Sequence, residues 1–320
     1  MAEFVTISDV ESGTRLLRWF LRHYPGMLQR DFYKLCRGGQ IRVNSSRCKG
    51  LEVLSGGDVV RIPPTLQSYQ KVKKTETGEQ YSLSDLEDLR KCIIYNDDDI
   101  VVFNKPAGLA VQGGTGIKKS VDKMAAALFP YDKISLVHRI DRETSGLLVV
   151  AKNQKAAQDL SNQFQDKTAY KEYLALLQGA ISQKSGIIDN YVSKGQVFKD
   201  FSEIPDNIVA QRAVTEYKVL GEASGLLTWV LFSPKTGRTH QLRLHSAYSL
   251  NAPIVGDDLY GVRRGGIEGV FGSVLNTQKL FLFAYRITFR HPGNNKEITL
   301  HADLPDFMQA VIKFLEFQMP

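Results

Sequence analysis

The chain has 320 residues, of which 43% are hydrophobic and 23% charged, and its formal net charge is +7. This length and balance favour a folded soluble protein with one large and one small domain. The apolar runs are too short for a membrane-spanning helix, and the start of the chain lacks the basic region and apolar run of a signal peptide. We therefore expect no membrane partner and no secreted protein.

Cysteine usage indicates the cellular compartment. Cys36, Cys48 and Cys92 are odd in number, and their spacing fits neither a disulfide framework nor a metal-ligand pair. We therefore expect the protein in a reducing cytoplasm.

Positive charge is concentrated in the first quarter of the chain. Residues 1–74 contain 13 lysines and arginines and 6 acidic residues, whereas residues 75–320 contain 28 of each kind. A solvated basic face is one interpretation of such an excess. Its confinement to one short segment favours a polyanionic partner, and nucleic acid is the leading candidate.

The N-terminal segment predicts two helices followed by short strands. Residues 14–24 place leucine and aromatic side chains on one helical face, with arginines largely elsewhere. Residues 29–37 predict a second helix, because two glycines follow it and supply a C-terminal stop. The alternating residues 40–44 and the apolar residues 59–62 predict strands.

The stretch at residues 37–44, together with residues 57–60, resembles the S4 RNA-binding domain, in which a helix pair presents basic side chains and a strand follows the second helix. The resemblance implies that residues 1–67 form a small α/β RNA-binding domain. A small helical cap with solvated arginines is the alternative. The predicted RNA contacts of this domain are Arg15, Arg18, Arg37, Arg42 and Arg47.

A larger domain is predicted at residues 93–320, after a polar linker at residues 68–92. Helices are predicted at residues 154–165 and 306–317 from their amphipathic spacing. The predicted fold class is α+β, with a mainly antiparallel mixed sheet in the larger domain. Its strands are predicted at residues 100–103, 146–151, 173–177, 226–232 and 280–284.

Two polar clusters beside apolar runs are candidates for the chemistry. Residues 138–146 hold many charges directly before a predicted core strand, and such charges need partners or a cleft. Residues 236–245 follow another strand and predict a helix that begins at Arg238. A carboxylate such as Asp141 that has to stay ionised benefits from an arginine partner in the second cluster.

Other chemistries fit these clusters poorly. His138, His240 and His245 lack the spacing of zinc ligands, so we interpret them as hydrogen-bonding or core histidines and predict no metal. Ser145 lacks the glycine two positions earlier that a nucleophile elbow requires. The glycine-rich residues 113–116 match neither a phosphate-binding nor a dinucleotide-binding loop. No cofactor is predicted.

Four segments resemble the motifs of the RluA-type pseudouridine synthases, in the order of that family. The family has HRLDxxTSGLLV around its catalytic aspartate, and this chain has HRIDRETSGLLV at residues 138–149. The family's KPxG, KxY and GRTHQLRxH motifs are matched at residues 105–108, 171–173 and 237–245. The resemblance covers essentially the whole chain.

The resemblance implies a monomeric enzyme that isomerises uridines to pseudouridine in 23S ribosomal RNA of the large subunit. The reaction breaks the N1–C1′ bond and joins C5 to C1′ with nothing added or lost, which agrees with the lack of a cofactor motif. By the family match, Asp141 is the catalytic residue. It could attack C1′, add to the base or remove the 2′ proton, and the sequence does not choose among these routes.

The resemblance assigns roles to further residues. Arg139 occupies the gap left by the flipped uridine, and Arg243 pairs with Asp141. Tyr173 stacks on the uracil and is a candidate to assist proton removal from C5. Arg238 is predicted to contact RNA. Their alternatives are a surface charge for Arg139, a core residue for Tyr173 and a generic helix cation for Arg243.

Two other functions are alternatives to isomerisation. A non-catalytic RNA-binding factor is disfavoured because the aspartate motif is intact. A glycoside hydrolase needs a second carboxylate, such as Glu143, which we interpret as a surface or RNA-facing charge. Departures from the family pattern are small. Ile140 replaces the leucine of the aspartate motif, and Gln112 replaces a histidine that is frequent before the glycine pair. Phe283 replaces another histidine that is frequent in the family.

Overall fold

The computed structural model describes residues 2–24, 27, 29–68, 81–261, 267–272, 274–275 and 278–320. The chain divides into two compact units. The first unit comprises Met1–Phe103, Gln112–His138 and Val149–Leu160, and the second comprises Asn104–Val111, Arg139–Leu148 and Ser161–Pro320. None of the helices in the described ranges is long and apolar enough to cross a bilayer.

The start of the first unit is a small sheet with two helices. The strand order is β1-β4-β2-β3. The two predicted helices and the strand at residues 59–62 are confirmed, because their apolar side chains meet in one buried cluster that includes Trp19, Phe20 and Phe32. The elements are β1 (Glu3–Thr6), α1 (Leu16–His23), α2 (Gln29–Arg37), β2 (Arg42–Val43), β3 (Ser46–Arg47) and β4 (Val59–Ile62).

A helix occupies part of the predicted linker, so that part of the prediction is wrong. Helix α3 (Leu83–Lys91) begins at a capping box in which the Ser82 hydroxyl accepts from the Asp85 amide and Asp85 accepts from the Ser82 amide. Its Leu89 is buried while most of the helix is polar, so the composition resembled that of a loop. Residues 69–80 of the predicted linker lie outside the described residues.

The remaining elements of the first unit surround further apolar strands. Three of them, β6, β8 and α5, run on into the second unit. Short 3-10 turns lie at Asp9–Glu11 and Pro64–Ser68. The elements are β5 (Ile93–Asn96), β6 (Ile100–Lys105), α4 (Val121–Leu128), β7 (Ser135–Leu136), β8 (Ser145–Ala151) and α5 (Gln154–Gln165).

A buried ion-pair cluster connects α1 to the loops of the first unit. The side chain of Asp132 is 1% exposed and lies 3.0 Å from Arg18 Nη2, 2.9 Å from Arg22 Nη2 and 3.6 Å from Lys152 Nζ. Asp98 adds longer contacts to the two arginines, of 3.8 and 3.9 Å. Burial, and then the charge of Arg22, lower the pKa of Lys152 to about 7.

This cluster corrects one predicted RNA contact. The guanidinium of Arg18 is directed at Asp132 and Asp98 within the unit, so it acts as an internal ion-pair partner. Its position on the edge of an amphipathic helix resembled that of a solvent-facing cation. Its partners Asp98 and Asp132 lie 80 and 114 residues further along the chain, so helical periodicity does not indicate them.

The second unit is built on a mainly antiparallel sheet, which confirms the predicted fold class. Its elements are β9 (Tyr170–Gln178), β10 (Ser185–Ser193), β11 (Gln196–Phe198), a 3-10 turn (Phe201–Glu203), β12 (Gln211–Ala223), β13 (Leu227–Pro234), α6 (Gln241–Leu244), α7 (Ile267–Phe271), β14 (Leu282–Arg290), β15 (Glu297–His301) and α8 (Asp306–Phe314). The strand order is β11-β10-β12-β13-β9-β14-β8, and β15 also pairs with β14.

The pairing of β14 with β8 is parallel and brings two backbones close together. Phe283 pairs with Ser145, and Ala284 pairs with Gly146. A Cβ atom on Gly146 would lie 2.3 Å from the Ala284 carbonyl oxygen, and Gly146 has φ +109°, so only glycine fits there. This glycine therefore sets where β8 starts, and with it the position of the loop that precedes the strand.

We expect Asp132→Asn to lower the free energy of unfolding by about 3 kcal/mol, because it leaves the buried Lys152 and the half-buried Arg18 and Arg22 without their shared carboxylate. Urea unfolding at neutral pH measures this change. Asp206→Asn, an exposed aspartate in a turn, is the matched control and should change stability by less than about 0.5 kcal/mol. Equal effects of the two substitutions would contradict the structural role of the cluster.

Candidate active site

Asp141 lies in the short loop directly before β8. Its side chain is 22% exposed. The loop is held by the buried Lys105, whose Nζ donates to the carbonyls of Pro106, Leu109 and Arg142, each at 2.9 Å. The KPxG segment and the aspartate loop are thus joined by one side chain.

The backbone of the two loops is joined as well. Gly108 N donates to the Arg142 carbonyl at 2.9 Å, and Arg142 Nε donates to the Gly108 carbonyl at 2.9 Å. Burial lowers the pKa of Lys105 to about 7, against the opposing negative charges of Glu143 and Asp141. Lys105 nevertheless donates three hydrogen bonds to carbonyl oxygens, which takes all three protons of the ammonium form, and these bonds fix the loop geometry.

Tyr173 lies on β9 close to Asp141. Burial and, after it, the negative charge of Asp141 raise the pKa of the Tyr173 phenol well above its ordinary value. The phenol is therefore protonated at neutral pH. The structure brings these two predicted site residues together, as the family motifs imply.

The motif at residues 237–245 adopts a turn and then a helix. Helix α6 begins at Gln241, which corrects the predicted start at Arg238, because His240 has left-handed backbone angles, φ 55° and ψ 21°, that interrupt a helix. The Gln241 side chain accepts from the Thr236 hydroxyl and from the Arg238 amide. It also donates to the Val214 carbonyl at 3.0 Å, which fixes α6 on strand β12.

His245 ends the motif inside the core and is fully buried. Its Nδ1 lies 2.9 Å from the Thr215 hydroxyl and its Nε2 lies 2.9 Å from Asn190 Oδ1. Asn190 Oδ1 can only accept, so the neutral ring carries its proton on Nε2 and donates it there, and Nδ1 accepts from the Thr215 hydroxyl. Burial lowers the pKa of His245 to about 4, so the ring is neutral in this network.

Arg243 pairs with an aspartate that the sequence did not indicate, which corrects the predicted pair with Asp141. Its Nε and Nη2 donate to the two oxygens of Asp257 at 2.8 and 2.6 Å, and both side chains are almost fully buried. Burial opposes the charge of Arg243, but the hydrogen bond and charge of Asp257, and then the charge of Asp141, raise its pKa. Asp141 is thus near Arg243, and the bidentate contact belongs to Asp257.

In the described part of the chain, a histidine lies within ion-pair distance of Asp141. His240 Nε2 lies 4.0 Å from Asp141 Oδ1, and His240 Nδ1 lies 2.8 Å from the Tyr260 hydroxyl. The guanidinium of Arg243 lies 5.2 Å from the centre of the Tyr260 ring. These four side chains form one connected group.

The predicted RNA-binding arginines occupy different environments. Arg139 is exposed, two residues before Asp141. Arg238 is exposed, and its Nε donates to the Arg212 carbonyl. In the N-terminal segment Arg15, Arg37 and Arg47 are exposed, and the half-buried Arg42 donates to the carbonyls of Gly39 and Ser45.

Sequence analysis missed Asp257 and Tyr260 and underestimated His240. Asp257 and Tyr260 lie in a loop with no periodic pattern, so no local signal marked them. The left-handed backbone of His240 could have been anticipated, since histidine is enriched in that conformation among residues other than glycine. Ser145, which the sequence disfavours as a nucleophile, is buried within β8.

Comparison with known proteins agrees with these motifs. Residues 99–248 match the family model described as RNA pseudouridylate synthase. The chain is 35% identical over 312 residues to ribosomal large subunit pseudouridine synthase C of Vibrio cholerae, covering 97% of this chain and 96% of that protein. It is 36% identical over 315 residues to the protein of the same name from Vibrio vulnificus, covering 98% and 96%.

A solved structure is similar to this chain as well. Human RNA pseudouridylate synthase domain containing 4 superposes with a TM-score of 0.61 and 27% identity, covering 73% of this chain and 97% of the human chain. The similarity covers most of the length of both chains, and the shared fold agrees with the family motifs.

We expect the free energy of unfolding to depend on pH in a way that reflects the neutral state of His245 in the folded protein. Its pKa is about 4 in the folded protein and ordinarily 6.5. Between these values the unfolded chain binds more protons, so the free energy of unfolding falls as the pH falls from 6.5 to 4, by up to about 3 kcal/mol from this one residue. Urea unfolding of wild type and His245→Gln across this range isolates the contribution.

The His245→Gln variant should show a shallower loss of stability across that pH range than the wild type. His301→Gln is the matched control, because His301 is exposed on β15. A wild-type pH slope in His245→Gln would show that the buried histidine does not remain neutral on folding.

Proposed function

This chain belongs to the RNA pseudouridylate synthase family, and we propose that it isomerises specific uridines of 23S ribosomal RNA with Asp141 as the catalytic carboxylate. Pseudouridine synthase activity follows from the family and from relatives matched over nearly their full length. The choice of RNA follows the names of those relatives, which specify the large ribosomal subunit. The choice of Asp141 follows its place in the site.

The observation that carries the proposal is the setting of the Asp141 carboxylate. It is partly open to solvent, and its loop is held by the hydrogen bonds of Lys105. A carboxylate in this position can approach the ribose of a bound nucleotide without first reorganising its loop. Isomerisation needs one such ionised group: the N1–C1′ bond breaks, the C5–C1′ bond forms, the C5 proton goes to solvent and N1 takes up a proton, while no water is added to the sugar.

The neighbours of Asp141 support two further roles. Arg139 is exposed at the rim of the aspartate loop, where its side chain can fill the space of a uridine that has left the stack. Tyr173 is held as the neutral phenol, so a stacking contact with the uracil suits it better than accepting a proton from C5.

The basic N-terminal segment supports RNA binding. Arg37 and Arg47 are exposed on α2 and β3, and Arg42 lies between them in the chain. Arg18 is withdrawn from this set because it is paired with Asp132. We propose that the remaining exposed arginines contact RNA phosphates, which gives affinity without sequence specificity.

We expect Asp141→Asn to abolish pseudouridine formation while RNA affinity stays close to that of the wild type. The amide preserves the shape of the side chain and removes its charge. Tritium release from RNA labelled at C5 of uridine measures turnover, and filter binding measures affinity.

Glu143→Gln is the matched control, since it removes a carboxylate from the same loop and should keep most of the activity. Substantial turnover by Asp141→Asn would overturn the assignment of the catalytic residue. Release of free uracil by the wild type, without pseudouridine, would indicate a glycoside hydrolase instead.

We expect Arg37→Ala combined with Arg47→Ala to weaken RNA binding and to reduce the slope of log affinity against log salt concentration by roughly 1.5, because two phosphate contacts are lost. The single-turnover rate at saturating RNA should stay at the wild-type value. The control is Lys296→Ala combined with Lys313→Ala, which removes the same charge from exposed positions in the C-terminal part. An unchanged slope in the arginine variant would remove these residues from the RNA contact.

A further inference from the structure

We propose that His240 is a positioning residue that donates Nε2–H to the Asp141 carboxylate, and that the Tyr260 hydroxyl fixes His240 for this role. The inference rests on the proposed function, in which Asp141 is catalytic. The sequence predicts a direct contact of Arg243 with Asp141. In the structure Arg243 instead reaches Asp141 through Tyr260 and His240.

The backbone at His240 is held so that the ring faces Asp141. His240 has φ 55°, and its carbonyl accepts from Leu244 N at 2.9 Å at the start of α6. The next residue, Gln241, is buried and makes hydrogen bonds with its whole amide group. A left-handed conformation costs free energy for a residue with a Cβ, so the turn is held by these contacts.

The proposed role uses the tautomer of His240 that has its proton on the nitrogen facing Asp141. Burial raises the pKa of Tyr260, so its phenol is protonated and can donate to His240 Nδ1, which lies 2.8 Å from the hydroxyl oxygen. In that arrangement the single N–H of a neutral imidazole is on Nε2. That atom is 4.0 Å from Asp141 Oδ1, about 1 Å beyond a hydrogen bond, and such contacts tighten when substrate binds.

Arg243 acts on this pair through Tyr260. Its guanidinium lies against the Tyr260 ring, which favours a cation–π contact, and its partner Asp257 accepts from the Tyr260 amide at 3.0 Å. The ion pair of Arg243 with Asp257 therefore fixes both the ring and the backbone of Tyr260. The ring of Tyr260 in turn meets that of His240 edge to face, with centroids 5.6 Å apart.

A donor to Asp141 serves the reaction in a specific way. The hydrogen bond fixes one carboxylate oxygen and leaves the other directed at the nucleotide. It also spares the carboxylate a direct contact with the full charge of an arginine, which would make it a weaker nucleophile or base. Loss of the donor should therefore slow the chemical step and leave RNA binding unchanged.

The test compares two substitutions that differ in reach. His240→Asn tolerates the left-handed backbone but is too short to reach Asp141, whereas His240→Gln carries an amide N–H at about the position of Nε2. We expect the single-turnover rate at saturating RNA to fall about 10- to 100-fold in His240→Asn and to recover in part in His240→Gln. The dissociation constant for RNA should stay within twofold in both.

Tyr260→Phe keeps the ring and removes only the hydroxyl, so it should also slow the single-turnover rate without weakening RNA binding. Equal rates of His240→Asn and His240→Gln, together with equal losses of thermal stability, would show that His240 only fills space and would overturn the inference. A wild-type rate in His240→Asn would overturn it as well.

Asp141→Asn, assayed beside these variants, separates the two hypotheses. An inactive Asp141→Asn with a fully active His240→Asn contradicts the role of His240 alone. An active Asp141→Asn contradicts the proposed catalytic residue, whatever the histidine variants do.

Discussion

The buried ion pair of Arg243 with Asp257 is the contact on which the rest of the site depends. Two side chains of opposite charge lie almost wholly out of water, and each loses its hydration unless the other is in place. Their bidentate geometry admits one orientation of the guanidinium. Asp257 also accepts backbone amides at the start of the loop that holds Tyr260, so one ion pair sets the positions of α6 and of that loop.

Buried basic side chains also hold loops in place elsewhere in the molecule. Lys105 uses its three donors on the carbonyls of the two loops around Asp141, and Lys152 lies with Arg22 beside the buried Asp132 in the first unit. In both places a cation replaces the hydrogen bonds that irregular backbone or a buried carboxylate would otherwise make with water. Irregular loops can then be rigid, which suits a carboxylate that has to meet a ribose without reorganisation.

In the proposed function, RNA binding and the chemical step use different side chains. The exposed arginines, among them Arg37 and Arg139, are available to phosphates and to the space of a flipped base, while the side chains around Asp141 are held by internal contacts. Exposed cations give affinity that depends on salt, and the internal contacts do not. Variants of the exposed arginines should therefore change RNA affinity, and variants of the side chains around Asp141 should change the rate of the chemical step. The proposed roles can be distinguished by measuring both.

The sequence by itself determined the elements whose signals are local. The bounds of α2 and α5 agree with the prediction because apolar spacing and a glycine stop act within a few residues, and the four motifs marked Asp141, Tyr173 and Lys105. Tertiary structure alone decided the charge partners. Helical spacing gives the face on which Arg18 or Arg243 lies, but not the carboxylate that a loop brings to it, so Asp132 and Asp257 were not predicted. The same limit holds for His240, whose orientation depends on a left-handed turn fixed by Gln241 and on Tyr260, twenty residues further along the chain.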